Sequence, residues 1–280
     1  MRRFGSQLVY SSRRRPCSPH FGHGPKGLWR HARFRCNIEA MTQRAAIIGA
    51  SGGIGGALLQ ELLDRHGGDG LYATARNPAR VRHTVRQVLP VDLLDEASIA
   101  HAASIIRADG PLDMVLVASG ALMLDDGTAP EKALRSLDPA AMAKSYAINA
   151  IGPALIAKHF LPLLRRDSRA VFAAVSARVG SISDNRLGGW HSYRAAKAAL
   201  NMLVRGAAIE LARTHPQALA VTLHPGTVDT PLSAPFQRGV APDKLFSPAQ
   251  SARCLLDVID RLGPRDTGHC FAWDGARIPF

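Results

Sequence analysis

The chain has 280 residues, of which 46% are hydrophobic and 20% charged, with a formal net charge of +13. That composition is ordinary for a globular protein with room for a substantial core. The charge is concentrated at one end: residues 1–40 hold nine basic residues and one acid, net +8, which leaves +5 for residues 41–280. So mildly basic a body gives little support to nucleic-acid binding. The four cysteines (Cys17, Cys36, Cys254, Cys270) contain no C-x-x-C pair and indicate neither a disulfide framework nor a zinc site. A reducing cytoplasm is the expected location. No apolar run reaches the roughly 18 residues that a membrane span needs, so no membrane association is expected. The longest candidate, 147–157, is interrupted by Asn149, Gly152 and Pro153.

Residues 1–40 are rich in Arg, Ser, Gly, His and Pro and have neither helical nor strand periodicity. They read as a transit peptide, as a basic arm for nucleic acid, or as an extension ahead of a start at Met41. The last is favoured, because Met41-Thr42-Gln43-Arg44 leads directly into a core strand. The division is therefore a basic, disordered or mis-annotated segment 1–40 and one domain over 41–280.

From Arg44 onward strands and helices alternate. Apolar runs predict strands at 45–48, 71–74, 87–91, 114–118, 170–175, 218–223 and near 269–273. Helices are predicted after the first glycine cluster (Leu58, Leu59, Leu62, Leu63), at 98–107, over about 140–166, up to about Ala212, and over about 248–262. A short helical segment is expected near 78–85. Apolar strands between amphipathic helices imply a parallel sheet covered on both faces. The fold class is thus α/β, a single doubly wound Rossmann-type domain.

Four stretches carry chemistry. Gly49-Ala50-Ser51-Gly52-Gly53-Ile54-Gly55 fits G-x-x-x-G-x-G between a strand and a helix. Glycines there permit a tight turn and close backbone approach, and the free N–H groups of the helix start suit a pyrophosphate. The loop, with Ser51 and Ile54, is the candidate phosphate cradle; a purely structural turn is the alternative. Arg76 follows the second strand, where a fold that prefers NAD usually places an acid. A guanidinium there can pair with a 2′-phosphate, so NADP(H) is favoured over NAD(H); an exposed loop arginine is the alternative. Asp92 either bonds the adenine amino group or caps the following turn.

Tyr193 and Lys197 lie four apart in an alanine-rich helical run, one above the other on one face. A nearby cation favours the phenolate, and lowering a tyrosine from about 10 to about 7 takes roughly 4 kcal/mol. Such a tyrosine exchanges protons at neutral pH. Taken alone, the pair also suits a surface helix.

Together with Asn149 in Asn149-Ala150-Ile151-Gly152-Pro153 and with Pro225-Gly226-Thr227-Val228-Asp229-Thr230, these residues resemble the short-chain dehydrogenase/reductase family over residues 43–280. The stretch 179–190 before Tyr193 looks like the branch of sniffer-type carbonyl reductases and bacterial C-factor proteins. The resemblance implies a seven-stranded parallel sheet in order 3-2-1-4-5-6-7 and a homodimer or homotetramer. It implies Tyr193 as proton donor to a carbonyl oxygen, and Lys197 lowering its pKa and bonding the nicotinamide ribose. Asn149 would hold a relay water, and 225–230 would wrap the nicotinamide and diphosphate, with Pro225, Gly226, Val228 and Thr230 in contact.

Two departures matter. The family's Asn-Asn-Ala-Gly is Ala118-Ser119-Gly120-Ala121 here, which keeps Gly120 for close cofactor approach. The branch pattern Ser-Ser-x-x-Gly is Ser176-Ala177-Arg178-Val179-Gly180, so alanine stands where the carbonyl-polarising serine is expected. Ser176 is the favoured substitute, with Ser181 and Ser183 as alternatives, or the contribution is lost. Strand alternation, however, turns Ser176 away from the direction of Ala177. Trp190, His191 and Phe236 serve either a substrate pocket or packing, and His224 reads as core or cofactor wall rather than acid.

The expected function is NADP(H)-dependent hydride transfer between the nicotinamide and a small-molecule carbonyl or alcohol. The alternative is a C-factor-like signalling or regulatory protein that binds NAD(P) with little turnover.

Overall fold

The structure, a computed structural model, describes residues 43–280; segment 1–40, with its competing readings, lies outside the described residues. Every residue of β1 (Ala45–Ile48), β2 (Leu71–Ala75) and β4 (Met114–Val117) is buried. Strands without a polar side survive only where helices cover both faces. The other strands are β3 (Gln87–Pro90), β5 (Ala170–Val175), β6 (Ala218–His224), β9 (Cys270–Ala272) and β10 (Arg277–Ile278), with a separate parallel pair, β7 (Thr227–Val228) and β8 (Leu245–Phe246). The main sheet runs β3-β2-β1-β4-β5-β6-β9-β10.

The first seven of these strands are parallel and have the expected order. β10 is an added eighth, antiparallel to β9. The return is made by Asp274-Gly275: Gly275 takes φ +86°, and the Asp274 carboxylate accepts from the amide of Ala276 at 3.0 Å. A glycine after aspartate is a turn signal of the kind that reverses a strand.

One face is covered by α1 (Gly53–His66) and α6 (Pro248–Arg261), whose Leu58, Leu59, Leu255 and Leu256 pack on Ile47, Leu116 and Val221. The other face carries α2 (Glu96–Ala108), α3 (Pro139–Tyr146), α4 (Gly152–Phe160) and α5 (His191–Leu211), packing Ile99, Phe160 and Leu200 on Ile48, Val117 and Phe172. Asp95, Asp138 and Ser247 cap α2, α3 and α6 through their side-chain oxygens. Prolines stand at the starts of α3 and α6, where the missing N–H costs nothing.

Two predicted helices change. The segment at 78–85 contracts to one turn, Pro78–Arg80, capped by Asn77. The helix at 140–166 starts at Pro139, opens into a π-helical turn at Ala147–Ile151, and ends in a 3-10 turn at Leu161–Leu163. No helix among the described residues is long and apolar enough to cross a membrane.

β1 pairs with both β2 and β4, so successive connections leave to opposite sides. The crevice opened at the carboxyl ends of these strands is where ligands bind in such sheets. At its base α1 and the turn before it come together: an added Cβ on Gly55 would lie 2.2 Å from the carbonyl oxygen of Gly49. Gly55→Ala is therefore expected to destabilise the protein by about 1–3 kcal/mol. Urea denaturation checks this; an unchanged midpoint would mean that the turn yields without cost.

Candidate active site

The turn after β1 is held by the amides of Gly49 and Ala50, which both donate to the Thr74 carbonyl, at 3.1 and 2.8 Å. Gly49 has φ +88°. α1 starts with no side-chain cap and no acid in its first turn, so its first amides remain available to an anion. Beside it lies a cavity of about 230 Å³ whose walls include Gly49, Ser51, Arg76, Asp92, Asp125 and Lys144. The Arg76 guanidinium pairs with Asp125 at 3.0 Å, both side chains about two-thirds exposed. Asp92 accepts from the Leu94 amide at 2.9 Å, the turn-capping alternative of the sequence reading, while still lining the cavity.

A second cavity, about 260 Å³, shares Ala118, Ser119 and Gly120 with the first. Tyr193 and Lys197 enter it from α5, and both are buried. Lys197 Nζ donates to the Val175 carbonyl at 3.0 Å and stands 5.7 Å from the Tyr193 ring centre. Burial pushes the phenol up to about 12 and the ammonium down to about 8. The tyrosine is raised rather than lowered because loss of water around the phenol is not offset by the ammonium 5.7 Å from its ring centre.

Asn149 occupies the middle of the π-helical turn, fully buried. Its amide nitrogen donates to the carbonyls of Ala121 (2.8 Å) and Ser145 (3.1 Å), and its oxygen accepts from the Ala121 amide at 3.0 Å. A Cβ on Gly120 would fall 2.9 Å from that oxygen and 3.4 Å from Lys197 Nζ. The asparagine and the lysine thus flank one glycine, and only a residue without a side chain fits between them.

Pro225, Gly226, Val228 and Thr230 all line the second cavity. Ser251 Oγ donates to the Pro225 carbonyl at 2.9 Å, and the Thr230 methyl lies 2.5 Å from where a Cβ on Gly53 would stand. The segment 225–230 is therefore laid across the glycine loop, and Ile54 lines the second cavity beside it.

The serine alternatives separate. Ser176 lines the cavity, but its hydroxyl donates to Asn201 Oδ1 at 2.8 Å, toward α5. This corrects the expectation that Ser176 offers its proton to a substrate: strand alternation wins over proximity. Ser181 is buried, accepting from the Asp184 amide at 3.2 Å, and neither it nor Ser183 lines this cavity. Ala177 does line it, presenting a methyl.

Trp190 and Phe236 form an aromatic wall, rings 5.1 Å apart and edge-on, with Trp190 6.4 Å from Tyr193; His191 is not part of this wall. Trp190 adopts a left-handed conformation (φ 48°) after Gly188 and Gly189, which do the same. Its amide donates to the Glu131 carbonyl, while the buried Glu131 carboxylate accepts from the amide and hydroxyl of Ser192. The sequence reading missed Ser119 and Glu131, while His224, read there as core or cofactor wall, lines the cavity. Only Ser119 had a local signal, the altered asparagine motif.

A family model, short chain dehydrogenase, matches residues 43–240. The chain belongs to that family. This short-chain dehydrogenase is 39% identical to C-signal of Myxococcus xanthus over 149 residues, which is 53% of this chain and 84% of that protein. It therefore falls in the expected C-factor-like branch. Its fold superposes on NADPH-bound carbonyl reductase from chicken fatty liver (TM-score 0.73, 24% identity, 85% of this chain and 99% of that one). It superposes equally on carbonyl reductase Sniffer of D. melanogaster (TM-score 0.74, 22% identity, 85% and 100%). It is an oxidoreductase that uses a nicotinamide cofactor, and the two joined cavities with an uncapped, acid-free helix start between them suit a dinucleotide.

Holding Lys197 buried costs stability. Lys197→Met is expected to raise the Tm of the ligand-free protein at pH 7 by a few degrees, for about 1–3 kcal/mol of relieved burial. The gain should shrink between about pH 8 and 10, where the native lysine gives up its proton while the unfolded chain still holds its own. Thermal melts at pH 7 and 9.5 test this, and a lower Tm for the variant at both values would reject it.

Proposed function

We propose that this short-chain dehydrogenase transfers hydride between NADP(H) and an apolar carbonyl or alcohol, with Tyr193 as general acid and base. The observation that carries the reading is convergence. Tyr193 and Lys197 from α5 and the segment 225–230 line a cavity continuous with that of the glycine loop, and Asn149 from the π-helical turn backs its wall across Gly120. A bound nicotinamide would supply or accept the hydride. A phenol pushed up to about 12 holds its proton at neutral pH, the form that reduction of a carbonyl requires. On this reading Lys197 and Asn149, which flank Gly120, pass protons from the phenol toward solvent through water. The hydrophobic wall of Trp190, Phe236, Leu122 and Val179 selects an apolar substrate body.

Arg76 is assigned to the 2′-phosphate of NADP(H), with Asp125 competing for it. Asp125→Asn is expected to tighten NADPH about two- to fivefold, the range of an exposed ion pair, and to leave NADH unchanged. Titration of cofactor fluorescence measures both; equal effects on the two cofactors would remove Arg76 from this role.

The second reading, a nucleotide-binding regulator with little turnover, is favoured by Ala177 and by the likeness to C-signal. The two separate in NADPH oxidation with a panel of aldehydes and diketones. Under the enzyme reading Tyr193→Phe loses at least a hundredfold in kcat and still binds NADPH. If wild type and variant are equally inactive while NADPH binds, the regulatory reading stands.

A further inference from the structure

The carbonyl oxygen of a substrate beside Tyr193 needs a second hydrogen-bond donor, because negative charge gathers on it as the carbon accepts hydride. Several of the polar side chains around the cavity are committed elsewhere. Ser176 donates to Asn201, Arg178 is paired with Asp184 at 2.6 Å, Lys197 donates to the Val175 carbonyl, and Ser233 donates to the Val228 carbonyl.

His224 differs. It ends β6, and the Ser176 amide donates to the Leu223 carbonyl at 2.8 Å. That bond extends the β5–β6 ladder beyond Val175↔Leu223 and brings the chain on either side of Ser176 alongside His224 at the carboxyl edge of the sheet. Ala177, Tyr193 and His224 line the same cavity. The His224 Nδ1 is buried and has no hydrogen-bond partner among the described residues. Burial, and then the positive charge of Arg178, push its pKa down to about 4, so the ring is neutral at physiological pH. A neutral imidazole carries one N–H donor and one acceptor, and Nδ1, buried without a partner, serves as the unprotonated nitrogen, so the proton is carried at Nε2.

We propose that His224 is a catalytic hydrogen-bond donor to the substrate carbonyl, filling the part that a serine hydroxyl would have played where Ala177 offers a methyl. The inference rests on the hydride-transfer reading above. In reduction the carbonyl π electrons move onto oxygen as the carbon–hydrogen bond forms. The Tyr193 proton goes to that oxygen, while His224 donates a hydrogen bond and keeps its proton. A neutral ring is suited to this, since a neutral imidazole can polarise a carbonyl without bringing a charge that must be desolvated.

The test is complementation in the full chain, using His224→Ala, His224→Gln, Ala177→Ser and the double variant His224→Ala/Ala177→Ser, with an aromatic aldehyde and an α-diketone. His224→Ala is expected to lose thirtyfold or more in kcat with the Kd for NADPH unchanged within twofold. His224→Gln, which keeps a neutral donor, should lose less. Adding Ala177→Ser to His224→Ala should recover at least tenfold, and by a larger factor than Ala177→Ser changes the wild type, because a hydroxyl then fills the part the imidazole has left; with a structural histidine the two factors would be equal. In the unreactive complex of NADP+ with the ketone, the His224 N–H resonance should move on ketone addition. An unmoved resonance overturns the proposal. So does His224→Ala within threefold of wild type in kcat while Tyr193→Phe is inactive, or a double variant as slow as His224→Ala. If Tyr193→Phe is itself fully active, the hydride-transfer reading fails and His224 falls with it.

Discussion

An ammonium group buried at the carboxyl edge of a parallel sheet is the constraint around which the site is built. Lys197 could shed the cost of its burial by giving up its proton or by leaving the cavity, and its bond to the Val175 carbonyl opposes the second. The same bond ties the end of β5 to α5, so the loop after β5 and the tyrosine one turn earlier share one anchor. Gly180 makes the same junction from the other side: a Cβ there would come within 2.9 Å of Lys197. Main chain, lysine and helix are thus close-packed where most proteins of this architecture place a ligand.

Around that anchor, each neighbouring element gives up some regularity. The helix carrying Asn149 widens into a π turn, which is common at functional sites. The widening places a carboxamide against the Ala121 main chain, bonding it in both directions. The segment after β6 crosses the glycine loop through Thr230. These local irregularities bring residues far apart in sequence into two cavities joined by a single wall.

Much of this was legible in the residues themselves. Fully apolar strands announced a sheet covered on both faces; the glycine loop and the Tyr193–Lys197 pair were singled out by type and spacing, and Asn149 and 225–230 by the family resemblance. What periodicity could not supply was direction. Alternation hinted that Ser176 turns away, yet only the Asn201 partner identified where its proton goes. His224 looked like wall material because its significance depends on an unpartnered nitrogen and on the methyl of Ala177. β10 escaped because two residues are too few for a period, although Asp274-Gly275 advertised the turn. The 3.6-residue pattern also carried through the π turn without revealing it.

Trp190 sets a further condition on the molecule. Its left-handed backbone costs about 1–2 kcal/mol that a glycine would not incur. The two glycines before it let the chain reach that conformation, and Glu131 holds it there from a different loop. The indole is therefore a loaded part: anything that loosens the Glu131 loop lets the turn relax toward an ordinary conformation and carries the ring off the cavity. The shape of the cavity and the integrity of the loop that carries Glu131 are, in this protein, one mechanical property.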